Sequence, residues 1–312
     1  MSESRVIVVL GATASGKGAL ARALAERIGA ELVSIDSMKV YRGMDVGTAK
    51  PTAGQRAALT HHLIDVADPW EAFSAARFVE LADVAVTAAH ARGRPIVAVG
   101  GTMLYFKCFY EGLFAGPAAN PGFRAALRER IEREGVEALH AELAAVDPVA
   151  AERIHRNDVR RIERALEVYQ ATGGPISALQ EQWDAGALRR PEWNWRLIGV
   201  RREREDNNRR INARVKRMIE HGLLEEARRI WSDAHGVSEQ ARQAVGYREL
   251  FDHFDGRRSL DDAIEQIKID TRRLAKAQRT WLKRIADVDW LDAAESDTTE
   301  VLLARAGYGS QV

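Results

Sequence analysis

The sequence predicts an α/β fold in which a parallel sheet core carries a helical insertion. Three observations predict it. Short apolar runs alternate with helical segments, a strand-like run leads directly into a glycine-rich loop, and one central stretch has helical segments without strands. Alternating strands and helices are typical of a parallel sheet that is covered by helices on both faces.

The predicted strands are short, rich in β-branched residues and bounded by charged residues or glycine. They are residues 6–10, 31–35, 63–66 as a possible short third strand, 96–99, 195–200 and 288–291. Helical spacing predicts helices over residues 19–29, 74–92, 206–232 and 260–286. From Asn120 to Gln182 only helices are expected, separated by turn residues such as Asp147-Pro148 and Gly173-Gly174. We therefore expect an α/β core formed by 1–117 and 195–312, and a helical insertion domain formed by 118–194.

Composition limits the class of protein. Hydrophobic residues make up 46% of the 312 residues, and the net charge is only +1, so a nucleic-acid surface has to come from local clustering. The single cysteine, Cys108, excludes an internal disulfide framework and a cysteine-based zinc cluster, and it fits a reducing compartment. No apolar run approaches the roughly 18 residues that a bilayer requires. We expect a cytoplasmic monomer that does not enter a membrane.

The glycine-rich loop after the first strand fits the pattern G-x-x-x-x-G-K. Its residues are Gly11, Ala12, Thr13, Ala14, Ser15, Gly16 and Lys17. A strand before it and a helix after it are the context of a phosphate-binding P-loop. Backbone N–H groups and the helix N-terminus favour phosphate oxygens, and Lys17 adds a compact positive charge. The fold class is thus a P-loop NTPase-like parallel sheet core with a helical insertion domain.

Residue 18 departs from the P-loop pattern. It is Gly18, where a Ser or Thr hydroxyl normally binds Mg²⁺. Three consequences stay open: water takes that ligand position, a nearby hydroxyl such as Ser15 or Ser37 replaces it, or metal binding is weakened.

The acidic candidate follows the second strand instead of the strand at 96–99, which ends in Gly100-Gly101-Thr102. Carboxyl ends of parallel strands line the ligand crevice, so Asp36 is expected to face the P-loop. A carboxylate there can act as a general base or help to hold Mg²⁺, or it can simply cap a turn. The Thr102 hydroxyl can reach a ligand or cap the helix that follows it.

Basic residues cluster in two segments. Residues 196–217 contain nine basic and three acidic residues, and residues 267–284 contain seven basic residues and Asp270. Arg272, Lys276, Arg279 and Lys283 form one helical stripe. A single run of this kind is usually a solvated helix face, whereas two such segments in a nearly neutral chain indicate a nucleic-acid backbone as partner.

Several longer blocks resemble a known family. With the P-loop they are residues 36–51, 61–65, 99–105, Asn157-Asp158 with Arg161, 164–168, 245–248 and 273–281. In this order they resemble the bacterial tRNA dimethylallyltransferases, also called tRNA isopentenylpyrophosphate transferases, over nearly the whole chain. The departures are Gly18 in place of the usual Thr or Ser and Ala12 in place of the usual Pro, and the first puts the geometry of a Mg²⁺ cofactor in doubt.

The resemblance implies a reaction and its partners. The dimethylallyl group of dimethylallyl diphosphate is transferred to the exocyclic amine (N6) of the adenosine 3′-adjacent to the anticodon, in tRNAs reading codons that begin with U, and diphosphate leaves. Asp36 is implied as the base, with Lys17 and Thr102 as further catalytic residues. The adenine has to leave its stack, which an anticodon stem-loop allows more easily than a duplex.

The resemblance also implies two sets of binding residues. The diphosphate is expected to contact the P-loop residues 11–17, Gly18 and Arg124. Contacts with tRNA are expected from Asp36, Ser37, Met38, Lys39, Thr102, Arg124, Arg160, Arg161, Ile162, Glu163, Arg164, Gln243, Ala244, Val245, Gly246, Tyr247 and Arg248. Two alternatives are a small-molecule P-loop kinase, which requires ATP and a phosphate acceptor, and a non-catalytic RNA-binding protein, for which Gly18 is the one argument.

Overall fold

The computed structural model describes residues 5–113, 116–184, 190 and 192–309. Its described strands form a six-stranded parallel sheet in the order β3-β2-β4-β1-β5-β6. The strands are β1 Arg5–Gly11, β2 Glu31–Ile35, β3 His61–His62, β4 Ile96–Gly100, β5 Asn194–Arg202 and β6 Val288–Ala293. The predicted α/β fold with a P-loop-type sheet is therefore confirmed.

Helices connect the strands and build the rest of the described chain. They are α1 Lys17–Ile28, α2 Ala53–Ala58, α3 Ala75–Ala91, α4 Met103–Glu111, α5 Pro121–Glu134, α6 Val136–Val146, α7 Pro148–Arg153, α8 Val159–Thr172, α9 Ile176–Asp184, α10 Arg204–Glu220, α11 Leu223–Trp231, α12 Glu239–Arg242, α13 Tyr247–Phe254, α14 Leu260–Leu282 and α15 Thr299–Arg305. None of them has the length and apolar character needed to cross a bilayer.

Strand β1 lies in the middle of the sheet and is buried on both faces. Val8 pairs with Ala98 of β4 on one side and with Leu197 of β5 on the other. On one face of the sheet, Leu20 and Leu24 of α1 belong to the same buried cluster as side chains of β1. This two-sided burial explains why β1 is apolar at every position instead of alternating.

Two predicted elements were wrong in their boundaries. The third strand is His61–His62 and not 63–66, because Leu63 and Asp65 have φ angles of 62° and 58°, which an extended strand does not allow. The helix predicted over 206–232 is two helices, α10 and α11. Gly222, with φ of 90°, interrupts them, because a left-handed residue ends the run of intrahelical hydrogen bonds.

The chain divides into two compact units. One comprises Met1–Phe109 with Pro191–Val312 and contains the sheet; the other is Tyr110–Arg190 and consists of α5 to α9 with the end of α4. The second unit has a core of its own, in which Leu139 and Leu143 of α6 pack with Ile162 of α8. It therefore has the apolar interior that a helical domain needs.

Gly100 ends β4 at a point where the backbones of β2 and β4 approach closely. A Cβ atom at Gly100 would lie 1.9 Å from the carbonyl oxygen of Ile35. We expect Gly100→Ala to destabilise the protein by about 2–3 kcal/mol, because neither backbone can yield without distorting the sheet. The urea midpoint of unfolding measures this cost.

The matched control for Gly100→Ala is Gly54→Ala in α2, where an added Cβ would meet only the Thr52 hydroxyl oxygen at 4.0 Å. This substitution is expected to be neutral or to stabilise by about 0.5 kcal/mol through helix propensity. Equal midpoints for the two variants would show that the two strands do not approach as closely as described.

Candidate active site

The P-loop joins β1 to α1 and has the backbone shape of an anion site. Ala14 and Gly16 have φ angles of 63° and 99°, and the Ser15 N–H donates to the Ala12 carbonyl oxygen at 3.2 Å. Helix α1 begins at Lys17, so its first N–H groups have no intrahelical acceptor and open towards the loop. These groups and the helix dipole favour a bound phosphate.

Side chains from β5 and α10 hold the carbonyl groups of the loop. Asn207 Nδ2 donates to the Thr13 oxygen at 3.0 Å and Arg210 Nε to the Ala14 oxygen at 2.9 Å. Arg202 Nε donates to the Ser15 oxygen at 2.8 Å. Because three successive carbonyl oxygens already have donors, the loop is fixed before a ligand binds.

Gln278 of α14 connects the loop to the end of β4. Its Oε1 accepts the Thr13 N–H at 2.8 Å, and its Nε2 donates to the Gly101 oxygen at 2.9 Å. Gln278 and Asn207 were not predicted as site residues, because each lies in a segment whose prominent sequence feature is its cluster of basic residues. The signal for them is an uncharged side chain on the face of the helix that turns towards the P-loop.

A cavity of about 500 Å³ opens in front of the P-loop, within the unit that contains the sheet. Its walls are formed by the loop, the ends of β2 and β4, residues 47–49 with Pro51, residues 244–246, and one face each of α10 and α14. Six cationic side chains line it: Lys17, Arg22, Lys39, Arg210, Arg214 and Arg217. Asp36 is the acidic residue among the described lining residues, so the cavity suits a multiply charged anion.

Asp36 directly follows β2, as the sequence predicts, and lies among these cations. Its Oδ1 accepts the N–H groups of Met38 at 2.9 Å and Lys39 at 3.3 Å, which fixes the turn after the strand. Burial lowers the pKa of both Lys17 and Lys39, and the nearby carboxylate charge of Asp36 opposes that lowering. The pattern combines the predicted acid with the turn-capping alternative, because one oxygen caps the turn and Oδ2 remains for chemistry.

Lys17 is the P-loop lysine, and its ammonium group donates to the Ala12 oxygen at 3.1 Å. Burial lowers its pKa to about 7, and the charges of Arg214 and Lys39 contribute in the same direction. Burial likewise lowers the pKa of Lys39 and of Arg214. These cations repel one another, so an anion that entered the cavity would offset an existing electrostatic cost.

Thr102 follows β4 and forms hydrogen bonds with the segment that follows β2. Its hydroxyl oxygen accepts the Ser37 N–H at 3.0 Å and donates its own proton to Ser37 Oγ at 3.2 Å. The Thr102 N–H donates to the Ile35 oxygen at 3.3 Å. Thr102 therefore fastens the end of β2 to the end of β4 and positions the segment that carries Asp36.

The donors available to Mg²⁺ are few. In the described chain no three His, Cys, Asp or Glu side chains are grouped as a metal site requires. Gly18 has no hydroxyl, Ser37 Oγ accepts the Thr102 proton, and Ser15 Oγ is buried beside the Lys17 N–H. Asp36, which lines the cavity, is the acidic side chain there that could contribute a carboxylate oxygen to Mg²⁺. The residues would fit a Mg²⁺ ion that takes few protein ligands, which Mg²⁺ accepts, and the ion would supply positive charge beside a bound anion.

The segment 243–248 supplies a wall of the cavity and a buried anchor. Ala244, Val245 and Gly246 line the cavity, and Gln243 is exposed. The Tyr247 hydroxyl is buried and donates to Glu226 Oε1 at 2.6 Å, and burial with this contact raises the pKa of Tyr247.

Glu226 was missed by sequence analysis, although it organises the cavity rim. Its carboxylate accepts the N–H groups of Asp45 at 2.9 Å, Val46 at 2.9 Å and Gly47 at 3.1 Å. One buried carboxylate thereby shapes the loop that continues into the lining residues 47–49 and Pro51. Arg248 instead faces Glu249 and Asp270, at 2.7 and 2.8 Å.

In the helical unit, arginines converge on Glu167. Arg124 Nη2 lies 2.8 Å and Arg164 Nη1 2.6 Å from Glu167 Oε2. Although burial alone would raise it, hydrogen bonds from Arg124, the Asn120 N–H and Arg164 lower the pKa of Glu167 to about 2. The guanidinium of Arg124, predicted to bind diphosphate, is thus paired within its own unit.

The other α8 residues that were predicted to contact tRNA lie on different faces of the helix. Arg160 and Arg161 are exposed near the N-terminus of the helix, whereas Ile162 is packed in the core and Glu163 is buried against Arg128. Side-chain contacts with RNA can come from the two arginines but not from Ile162. On α14, Lys276 and Lys283 of the predicted stripe are exposed, and Arg272 donates to Asn212 at 2.7 Å.

The fold and the cavity together define a P-loop protein of the α/β class with a cation-lined cavity beside a carboxylate. A family model described as IPP transferase matches residues 39–285. The chain belongs to the IPP transferase family.

Curated relatives and solved structures agree with this assignment. The tRNA dimethylallyltransferase of Geobacillus thermodenitrificans strain NG80-2 is 45% identical over 295 residues, 94% of this chain and 92% of the relative. That of Geobacter metallireducens is 46% identical over 290 residues, with 93% of each chain covered. The tRNA isopentenylpyrophosphate transferase of Bacillus halodurans superposes with a TM-score of 0.70 at 38% identity, covering 98% and 96% of the two chains. A eukaryotic dimethylallyltransferase, solved acting on tRNA, gives 0.80 at 27% identity over 97% and 78%.

Proposed function

We propose that this enzyme transfers the dimethylallyl group of dimethylallyl diphosphate to N6 of the adenosine 3′-adjacent to the anticodon, in tRNAs that read codons beginning with U. The observation that carries the proposal is the cavity in which the P-loop cations and Asp36 lie together. When the diphosphate group of the prenyl donor lies on the P-loop, the reacting prenyl carbon would lie in the same cavity as Asp36, the proposed general base. The names of the relatives, which state this activity, support the assignment.

Each residue has one task in the proposed reaction. The P-loop amides, Lys17 and Arg214 neutralise the charge that grows on the diphosphate as its bond to the prenyl carbon breaks. Asp36 Oδ2 takes the proton that the adenine amine loses as the new carbon–nitrogen bond forms. Thr102 positions the Asp36 segment through Ser37. When bound, Mg²⁺ supplies further positive charge to the diphosphate oxygens.

The tRNA contacts remain proposals. We assign the unit Tyr110–Arg190 to the insertion expected at 118–194 and propose that Arg160 and Arg161 contact the backbone of the anticodon stem-loop. On the unit that contains the sheet, Met38, Lys39 and Gln243 are the proposed contacts, because they line the cavity or are exposed. We further propose Mg²⁺ as the metal, a monomeric state and a cytoplasmic location.

Release of inorganic diphosphate tests the proposed reaction. Dimethylallyl diphosphate with unmodified tRNA is expected to release one diphosphate per tRNA. The matched tRNA with inosine at the acceptor position should release none, because it has no exocyclic amine to attack. Release that does not depend on this amine would contradict the proposal.

The kinase alternative is tested in the same assay by replacing the prenyl donor with ATP. A kinase would transfer phosphate from ATP to an acceptor, whereas the proposed enzyme should leave ATP intact in the presence of tRNA. The non-catalytic alternative predicts that tRNA binds and no diphosphate appears.

A further inference from the structure

We propose that Arg22 binds the diphosphate directly and supplies, in this chain, positive charge that a metal held by residue 18 supplies in other P-loops. The inference rests on the proposed function, because it assumes that diphosphate occupies the P-loop. It explains how the loop can work without a hydroxyl at Gly18.

The position of Arg22 carries the inference. Arg22 lies one helical turn after Gly18 on α1, so the two residues share a face of the helix. A Cβ atom at Gly18 would have Arg22 Nη1 as its nearest neighbour, at 3.8 Å. The guanidinium thus extends over the place where a Ser or Thr side chain would stand. Gly18 leaves this space open, and both Gly18 and Arg22 line the cavity.

The charge environment of Arg22 also favours a contact with a bound anion. Arg22 is half-buried, and in the described part of the chain no carboxylate pairs with its guanidinium. Its charge lowers the pKa of Lys39 and of His61, which places it beside the other cavity cations. A cation that is partly desolvated, lacks a counterion and faces like charges gains from an anion that enters between them.

A guanidinium can take over part of a metal's task at a diphosphate. Its planar N–H donors bind two phosphate oxygens at once, and its charge does not depend on pH in the working range. It cannot accept as many ligand oxygens as Mg²⁺ does. We therefore expect diphosphate binding that persists when Mg²⁺ is removed and that depends on Arg22.

Calorimetric titration with inorganic diphosphate tests the inference in the complete protein, with EDTA and with excess Mg²⁺. Wild type should bind in both conditions, with affinities that differ by less than about tenfold. Arg22→Gln should weaken binding in EDTA by about 10- to 100-fold, the range of a charge-assisted hydrogen bond. Arg22→Lys should recover part of the affinity, because lysine keeps the positive charge but lacks the planar N–H donors that bind two phosphate oxygens at once. Arg27→Gln removes the same charge from the same helix outside the cavity and should leave binding unchanged.

A second pair of variants addresses Gly18 itself. Gly18→Thr restores the missing hydroxyl and fills the space beside Arg22, so it should make diphosphate binding more dependent on Mg²⁺. Gly18→Ala adds a Cβ without a hydroxyl and should not.

The outcomes separate the two claims. Arg22→Gln that binds as tightly as wild type in EDTA, or wild type that binds only with Mg²⁺, overturns the role of Arg22 and leaves the diphosphate site intact. Wild type that binds no diphosphate in either condition contradicts the proposed function itself.

Discussion

Asp36→Asn is expected to lower the rate of prenyl transfer by about 10²–10⁴-fold in single-turnover assays, the range for loss of a general base. The substitution removes the proton acceptor but keeps an oxygen for the N–H groups of Met38 and Lys39. The turn after β2 should therefore survive, and tRNA and diphosphate should still bind. An Asp36→Asn enzyme with wild-type turnover would show that another group takes the proton.

The electrostatic effect of Asp36 has to be separated from its role as a base. Burial lowers the pKa of Lys17 to about 7, and the Asp36 charge opposes that lowering, so removal of this charge leaves Lys17 less protonated near neutral pH. Transfer should therefore be measured at pH 6 and at pH 8. A defect due to the base persists at both values, whereas a defect due to Lys17 shrinks at pH 6, where Lys17 gains a proton.

Lys17→Met is expected to weaken diphosphate binding by about 100-fold, the value of a strong charge-assisted contact. It should also slow transfer by about 10²–10³-fold, because charge on the leaving group is no longer neutralised. Lys216→Met on α10 is the matched control, since that side chain is 77% exposed and lies outside the cavity lining. Equal diphosphate affinities for the two variants would contradict the proposed role of Lys17.

Without a ligand, Lys17→Met is also expected to change how the stability of the folded protein depends on pH. Lys17 has a pKa of about 7 in the folded protein, against an ordinary value of 10.5. The unfolded chain therefore binds more protons between these values, and stability rises with pH across that window. We expect Lys17→Met to unfold at a higher temperature than wild type at pH 6, with an advantage that declines from about pH 7 to 10.5. Saturating diphosphate should reverse the order.

The sheet and the P-loop were predictable because local rules determine them. A short unbroken apolar run is typical of a strand that is buried on both faces of a sheet. A glycine-rich loop between a strand and a helix has backbone N–H groups that can donate hydrogen bonds to an anion. Asp36 followed from topology alone, because parallel strands end on the same edge. The third strand was misplaced because the left-handed backbone at Leu63 and Asp65 leaves no composition signal.

The supporting residues of the cavity were not predictable from local pattern. Gln278 contacts Thr13 across 265 positions of the sequence, and Glu226 contacts the segment at Gly47 across 179. Such contacts depend on how α11 and α14 pack, which no short motif encodes. Arg22 is an intermediate case. Its position one turn after Gly18 is visible in the sequence, but its place in the lining of the cavity is visible only in the structure.

The central claim is that this enzyme joins a prenyl group to one adenosine of tRNA. The most direct measurement is to incubate the protein with unmodified tRNA that reads codons beginning with U, dimethylallyl diphosphate and Mg²⁺, and then to weigh the nucleosides of the digested tRNA. We expect wild type, but not Asp36→Asn, to form an adenosine heavier by one dimethylallyl group at the position 3′ of the anticodon. Unmodified adenosine at that position after incubation with folded, tRNA-binding wild type would contradict it.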